Sequence, residues 1–334
     1  MRVPLTFAVV LGLSVMAPVA TALEPPRGPD TTVPYVVDDE LHVGATVIPL
    51  ADAAPDASGD HRLVGRTGSG WLVSQGWYDA SGLAHSALQL VTATSSATIH
   101  VHVADNDVES TQSYRLNRDR TSVLEWNSFS GSTDARILDL AGAGVASRSL
   151  PSGTQVLDFA GNSVVFTGRD GTATRAWRIG RGVATLARHG EGFVDLGHRR
   201  MAVTAPRQRV ALVGLEHPKR VLWRARFSPE RFSPNGARLA GWALDARGRS
   251  TDALQIRRGS DGRLIRTFNV RKLRAGLPFS LTWDKNRAVV LEGVDGPPAS
   301  SLRFLVRCPV GGACTVASEQ GQDFTFAFET DGSW

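Results

Sequence analysis

The stretch Phe232-Ser-Pro-Asn-Gly-Ala-Arg-Leu-Ala-Gly-Trp242, FSPNGARLAGW, sets a tight turn directly before an apolar strand. Pro234 fixes one backbone angle, and Asn235-Gly236 tolerates the left-handed conformation a turn demands. DALQIRRG (252–259) offers a second strand, and SDGRLIRTF (260–268) adds another turn and a third. The same order of strands and turns recurs at 61–103, 111–150, 154–189, 191–227 and 277–318. The second strands centre near Trp71, Val123, Val164, Met201, Leu239 and Val289, a mean spacing of roughly 44 residues. That period suits a four-stranded propeller blade. One such sheet leaves both faces bare, and stacking blades around an axis gives each face a neighbour.

Two fragments remain. YVVDDELHVGATVIPL (35–50) holds three strands, and DFTFAFET (323–330) holds one. Three plus one predicts a seventh blade, with the C-terminal strand beside 35–37. The expected fold is therefore all-β, a seven-bladed propeller over 35–330. Six blades with the ends packed alongside is the alternative. A weak helical period at 268–276, FNVRKLRAG, is the one exception to the β pattern.

FSPNGARLAGW resembles the strand motif of TolB-type propellers, in which Phe-Ser-Pro-Asp-Gly precedes an apolar strand. ALQIRRGSDGRLIRTF resembles the third and fourth strands of a WD40-like blade. Asn235 replaces the Asp, no Trp-Asp dipeptide ends a strand in that blade, and the Gly-His signature is missing. The resemblance implies the fold, and this fold hosts many unrelated activities.

The N-terminus reads as a targeting segment. Arg2, the apolar run LTFAVVLGLSVMAPVA and the small residues Ala20-Thr21-Ala22 predict a signal peptide over 1–22. No Cys follows the run to carry a lipid, and no other stretch is apolar enough for a membrane helix. LEPPRGPDTTVP (23–34) reads as a Pro-rich tether. The expected protein is secreted, extracellular or associated with the cell envelope, and monomeric. Cys308 and Cys314, in RCPVGGACTV, are expected to form a disulfide across a short hairpin.

No residue cluster carries recognisable catalytic chemistry, and no cofactor or metal site follows from the sequence. His100 and His102 share a strand face, yet that strand is expected to be an outer, solvated one. His189 and His198 flank Asp195, but Gly-x-Ser-x-Gly is absent. GRDGTATRAW (168–177) and ETDGSW (329–334) faintly resemble the Asp-box turn of sialidase-type propellers. Sialidase chemistry would need a tyrosine nucleophile among arginines, and Tyr35, Tyr78 and Tyr114 have no such setting. Asp105, Asp107 and Glu109 resemble half of a calcium loop.

Charge is the most informative feature. The chain holds 34 Arg and 3 Lys and carries a formal net charge of +5. From Arg199 to Arg274 there are 19 basic and 5 acidic residues, +14; from Leu23 to Asp60 there is 1 basic and there are 8 acidic, −7. A basic sector around Arg199, Arg200, Arg207, Arg209, Arg257 and Arg258 is the expected partner surface. Trp77 and Tyr78 form a second candidate contact on a rim. The expected function is a non-catalytic binding or scaffold module, with a protein or an anionic envelope polymer as partner. Nucleic acid is not expected, because no aromatic residues interleave with the basic ones for stacking. The alternatives are an enzyme acting on a polysaccharide or glycoside at the channel mouth, and a structural partner in an envelope complex resembling the TolB role.

Overall fold

The computed structural model describes residues 25–328 except 38, 56, 58–60, 104–110, 129–131, 169–172, 271–280, 296–301, 319–320 and 323–326. The signal-like segment, the acidic run at 105–109, Asp170 and the ETDGSW terminus lie outside the described residues.

All regular elements among the described residues are strands, in seven antiparallel sheets. The second blade runs β4 (His61–Arg66), β5 (Trp71–Tyr78), β6 (Ala84–Val91) and β7 (Ser96–Val103), in that order from inside to outside. The third holds β8 (Thr111–Leu116), β9 (Ser122–Ser128), β10 (Ser132–Asp139) and β11 (Gly144–Pro151); the fourth holds β12 (Val156–Ala160) to β15 (Gly182–Ala187). β16 (Gly190–Asp195), β17 (Arg200–Ala205), β18 (Arg209–Gly214) and β19 (Val221–Ala225) make the fifth. β20 (Phe227–Phe232) to β23 (Leu264–Asn269) make the sixth, with β22 at Ser250–Arg258. The seventh runs from β24 (Leu281–Asp284) to β27 (Thr315–Val316), and β28 (Gly321–Gln322) adds to β26 (Leu302–Pro309). In the first blade β1 (Tyr35–Val37), β2 (Glu40–Val43) and β3 (Thr46–Pro49) follow β29 (Ala327–Phe328), with Tyr35 opposite Phe328 and Val36 opposite Ala327. Phe268 and Asn269, part of the weakly helical window, are strand residues. Their pairing to Leu254 and Ala253 overrides the local period.

Strand alternation builds the ring. Successive side chains point to opposite faces, so one strand feeds two cores. Val164 packs towards the third blade and Val165 towards the fifth. Leu239 joins the fifth blade's core and Ala240 the seventh's. Val290 and Leu305 of the seventh blade meet Val33 and Tyr35 beside the first. Leu41 meets Leu63 of the second, and Leu72 meets Leu116 of the third. Every blade thus buries both faces against neighbours. Trp283, fully buried, also donates its indole N–H to the Arg231 carbonyl at 3.1 Å, tying the seventh blade to the sixth.

The stretch 25–34 is docked, not a free tether. Arg27 bridges in parallel to Val316, Gly28 N and Thr31 N donate to the Val316 and Ala317 carbonyls, and Thr31 and Val33 are buried. β27 would otherwise present a bare edge, and the Pro-containing segment covers it. Cys308 and Cys314 are bonded beneath it, both buried, in the core shared by the sixth and seventh blades.

Candidate functional site

An up-and-down sheet sends its turns alternately to two ends. The turns between first and second strands and between third and fourth strands share one rim of the propeller. The turns between second and third strands lie on the other.

On the first rim, the third, fifth, sixth and seventh blades are laced together. Arg118 of the third blade donates to Asp195 of the fifth at 3.0 Å. His198 Nδ1 lies 2.9 Å from the same carboxylate, and its Nε2 lies 3.2 Å from the Pro234 carbonyl of the sixth blade. Asn235 N donates to Asn286 Oδ1 of the seventh. Gly197 permits the crossing, because a Cβ there would meet the Arg118 guanidinium at 1.6 Å. Burial alone would raise the Asp195 pKa. The His198 hydrogen bond and the Arg118 charge outweigh it and hold this carboxyl below the usual carboxylate range.

The same rim carries a basic arc over blades four to seven. Arg181, Arg199, Lys219, Arg220, Arg258, Arg263, Lys285 and Arg287 are exposed in its turns. Its two exposed carboxylates are already matched, Glu216 by Arg199 and Asp261 by Arg258 at 3.1 Å. Arg181, Lys219, Arg220, Arg263, Lys285 and Arg287 pair with no carboxylate among the described residues. A groove of about 640 Å³ runs through the sixth blade's part of this arc, lined by Arg238, Arg258, Ser260, Arg263, Leu264 and Ile265.

The six arginines expected to form one partner surface are divided. Arg199, Arg200 and Arg258 lie on this rim. Arg207 lies in the β17–β18 turn and Arg209 at its end, and alternation places that turn on the opposite rim. Arg257 turns inward: its guanidinium donates to Gln255 Oε1 and the Gly262 carbonyl and sits 5.2 Å over the Phe227 ring.

Trp77 and Tyr78 are also separated, by alternation along β5. Trp77 is buried against Ala53, Ala54 and Ala57 and stacks on His85 with centroids 5.2 Å apart. Tyr78 points the other way and is 62% exposed. His100 and His102 are on the outer strand of their blade, as expected, but they are partly buried rather than freely solvated. Both face Glu125 of the third blade, at 3.1 and 3.7 Å. An outer strand still turns alternate residues against its neighbour. Glu125 also accepts from Tyr114 at 3.3 Å and has Arg136 at 3.9 Å. Burial works to raise the Glu125 pKa, yet the His100 hydrogen bond and the surrounding cations bring it below the ordinary value. Burial, reinforced by Glu125, pushes the Tyr114 phenol well above its ordinary pKa. His189 stands apart from the His198–Asp195 pair; its carbonyl accepts from Thr204 N.

The fold defines the chain as a β-propeller. No family model and no curated protein matches it. Solved structures do. The periplasmic gluconolactonase PpgL of Pseudomonas aeruginosa is 12% identical over 86% of this chain and 94% of its own, with a TM-score of 0.53. The β-propeller domain of Cps50 (Swd1) from Myceliophteria thermophila is 10% identical over 79% and 87%, TM-score 0.49. BamB from Moraxella catarrhalis is 12% identical over 82% and 95%, TM-score 0.41. At such identities the first of these speaks for the fold alone.

Proposed function

We propose that the chain is an exported, non-catalytic binding module that holds an anionic polymer of the cell envelope against its basic rim. The observation that supports this most is the uncompensated charge: six exposed cations, Arg181, Lys219, Arg220, Arg263, Lys285 and Arg287, share one rim without a carboxylate partner among the described residues. Clustered cations of one sign raise the local concentration of an anionic partner and speed its capture. The Leu264–Ile265 flank of the groove gives that partner an apolar contact between charges. A glycoside-cleaving site would need two free carboxylates about 5–10 Å apart. On this rim Asp195 is engaged by Arg118 and His198, and Asp284 by Arg307 and Thr32.

The test is a pull-down. Chain lacking residues 1–22 is immobilised and exposed to envelope extract at low salt and at 1 M salt, where the screening length falls to about 3 Å. An anionic polymer retained at low salt and released at high salt supports the reading. Retention indifferent to salt, or none at either, overturns it.

A further inference from the structure

A cavity of about 230 Å³ opens between the second and third blades, on the rim opposite the basic arc. Its origin is compositional. Alternation along β5 and β6 turns Ser74, Gly76, Ala84 and Ser86 towards the third blade, where apolar side chains fill the space lower down, as Leu72 and Leu88 do. A Cβ on Gly76 would find only the His85 carbonyl, at 3.7 Å, and its backbone is in an ordinary strand conformation. Four small residues therefore leave a gap that the fold does not require.

The lining has a definite chemistry. Tyr78 offers an exposed ring and Arg62 a guanidinium that pairs with no carboxylate among the described residues. Ser86 and Tyr114 share a hydrogen bond of 2.8 Å at the base. Gln112 Oε1 is buried without a hydrogen-bond partner. Asn127, its cross-strand neighbour on the same face, is 3% exposed with both amide atoms unpartnered. Buried amides without partners are costly and uncommon in a folded chain. Of the two, Gln112 lines the cavity, and a hydroxyl group there can donate to its Oε1.

We propose that this cavity is a binding site for one carboxylate-bearing sugar ring, a uronate, independent of the basic rim. The ring's apolar face lies on Tyr78, its hydroxyls reach the Gln112 amide and the base, and its carboxylate meets Arg62. A volume of about 230 Å³ has room for one such ring. A free amino acid fits less well, because its ammonium needs a carboxylate. Glu125 is committed to His100, Tyr114 and Arg136, and Asp79, beside Tyr78, to His85, Ser81 and the Leu83 N–H.

Calorimetric titration with glucuronate, glucose and glutarate tests this, using the chain without residues 1–22. The expected result is glucuronate binding that weakens at least tenfold in Arg62→Gln and disappears in Gly76→Leu, whose side chain fills the cavity. The thermal midpoint of each variant is measured alongside, and Gly76→Ala, which keeps most of the space, retains binding. Arg181→Glu and Arg263→Glu leave glucuronate binding unchanged, which separates this site from the basic rim. No glucuronate binding at 10 mM overturns the proposal. So does binding that survives Gly76→Leu in folded protein, or glutarate binding as tightly as glucuronate.

Discussion

Arg118, in the turn after β8, reaches past the fourth blade to donate to Asp195 of the fifth, 3.0 Å away and 77 residues along the chain. Asp195 is largely buried while Arg118 is about one-third exposed. Solvent screening limits what the pair contributes. Arg118→Met is expected to lower stability by about 1 kcal/mol at pH 7. The folded Asp195 pKa is depressed, so its contribution is present above the unfolded value of about 3.9 and is lost as pH falls through the lower folded value. Denaturant melts should therefore show the difference between wild type and Arg118→Met shrinking below about pH 4. A difference that stays constant down to pH 3 contradicts this.

The Cys308–Cys314 bond closes a short loop, six residues apart in sequence. Replacing both by Ala should cost about 2 kcal/mol through the unfolded chain's added freedom. Chemical denaturation measures it, and the same loss should follow reduction of the wild type. An unchanged midpoint in both cases would show that the bond stabilises nothing.

β29 pairs with β1 at Tyr35–Phe328 and Val36–Ala327, so the two ends of the chain share one sheet. Deleting residues 323–334 bares the β1 edge. The expected outcome is a lower thermal midpoint together with concentration-dependent association, read by light scattering, because an open edge invites pairing. A truncated chain that melts like the full one would refute a closing role for this strand.

Much of the fold was legible because a blade is local: strand, turn, strand, with a period of two and a repeat of roughly 44 residues. The turns carry a further signal that the repeat did not require. Asp79, Asp139 and Asp245 each begin an Asp-x-x-Gly turn, accept two backbone N–H groups and precede a glycine with positive φ at 82, 142 and 248. The site was less legible. Arg199 and Arg207 are eight residues apart in sequence but on opposite rims, because one strand lies between them. His100 meets Glu125 only through the packing of two blades, and the 25–34 segment reads as a linker until β27 supplies an edge for it. Contacts between blades depend on register, which composition and short motifs do not contain.

The rim that meets the anionic partner is the claim on which the proposed function turns. Arg181→Glu/Arg220→Glu/Arg263→Glu reverses three exposed cations of the basic arc, and Arg207→Glu/Arg209→Glu does the same on the opposite rim. Binding of both to the polymer recovered from envelope extract is followed across salt concentrations. The triple variant is expected to lose at least tenfold in affinity at low salt and most of the salt dependence, while the double variant binds like wild type. Wild-type affinity in the triple variant, or equal loss in both, would contradict the assignment.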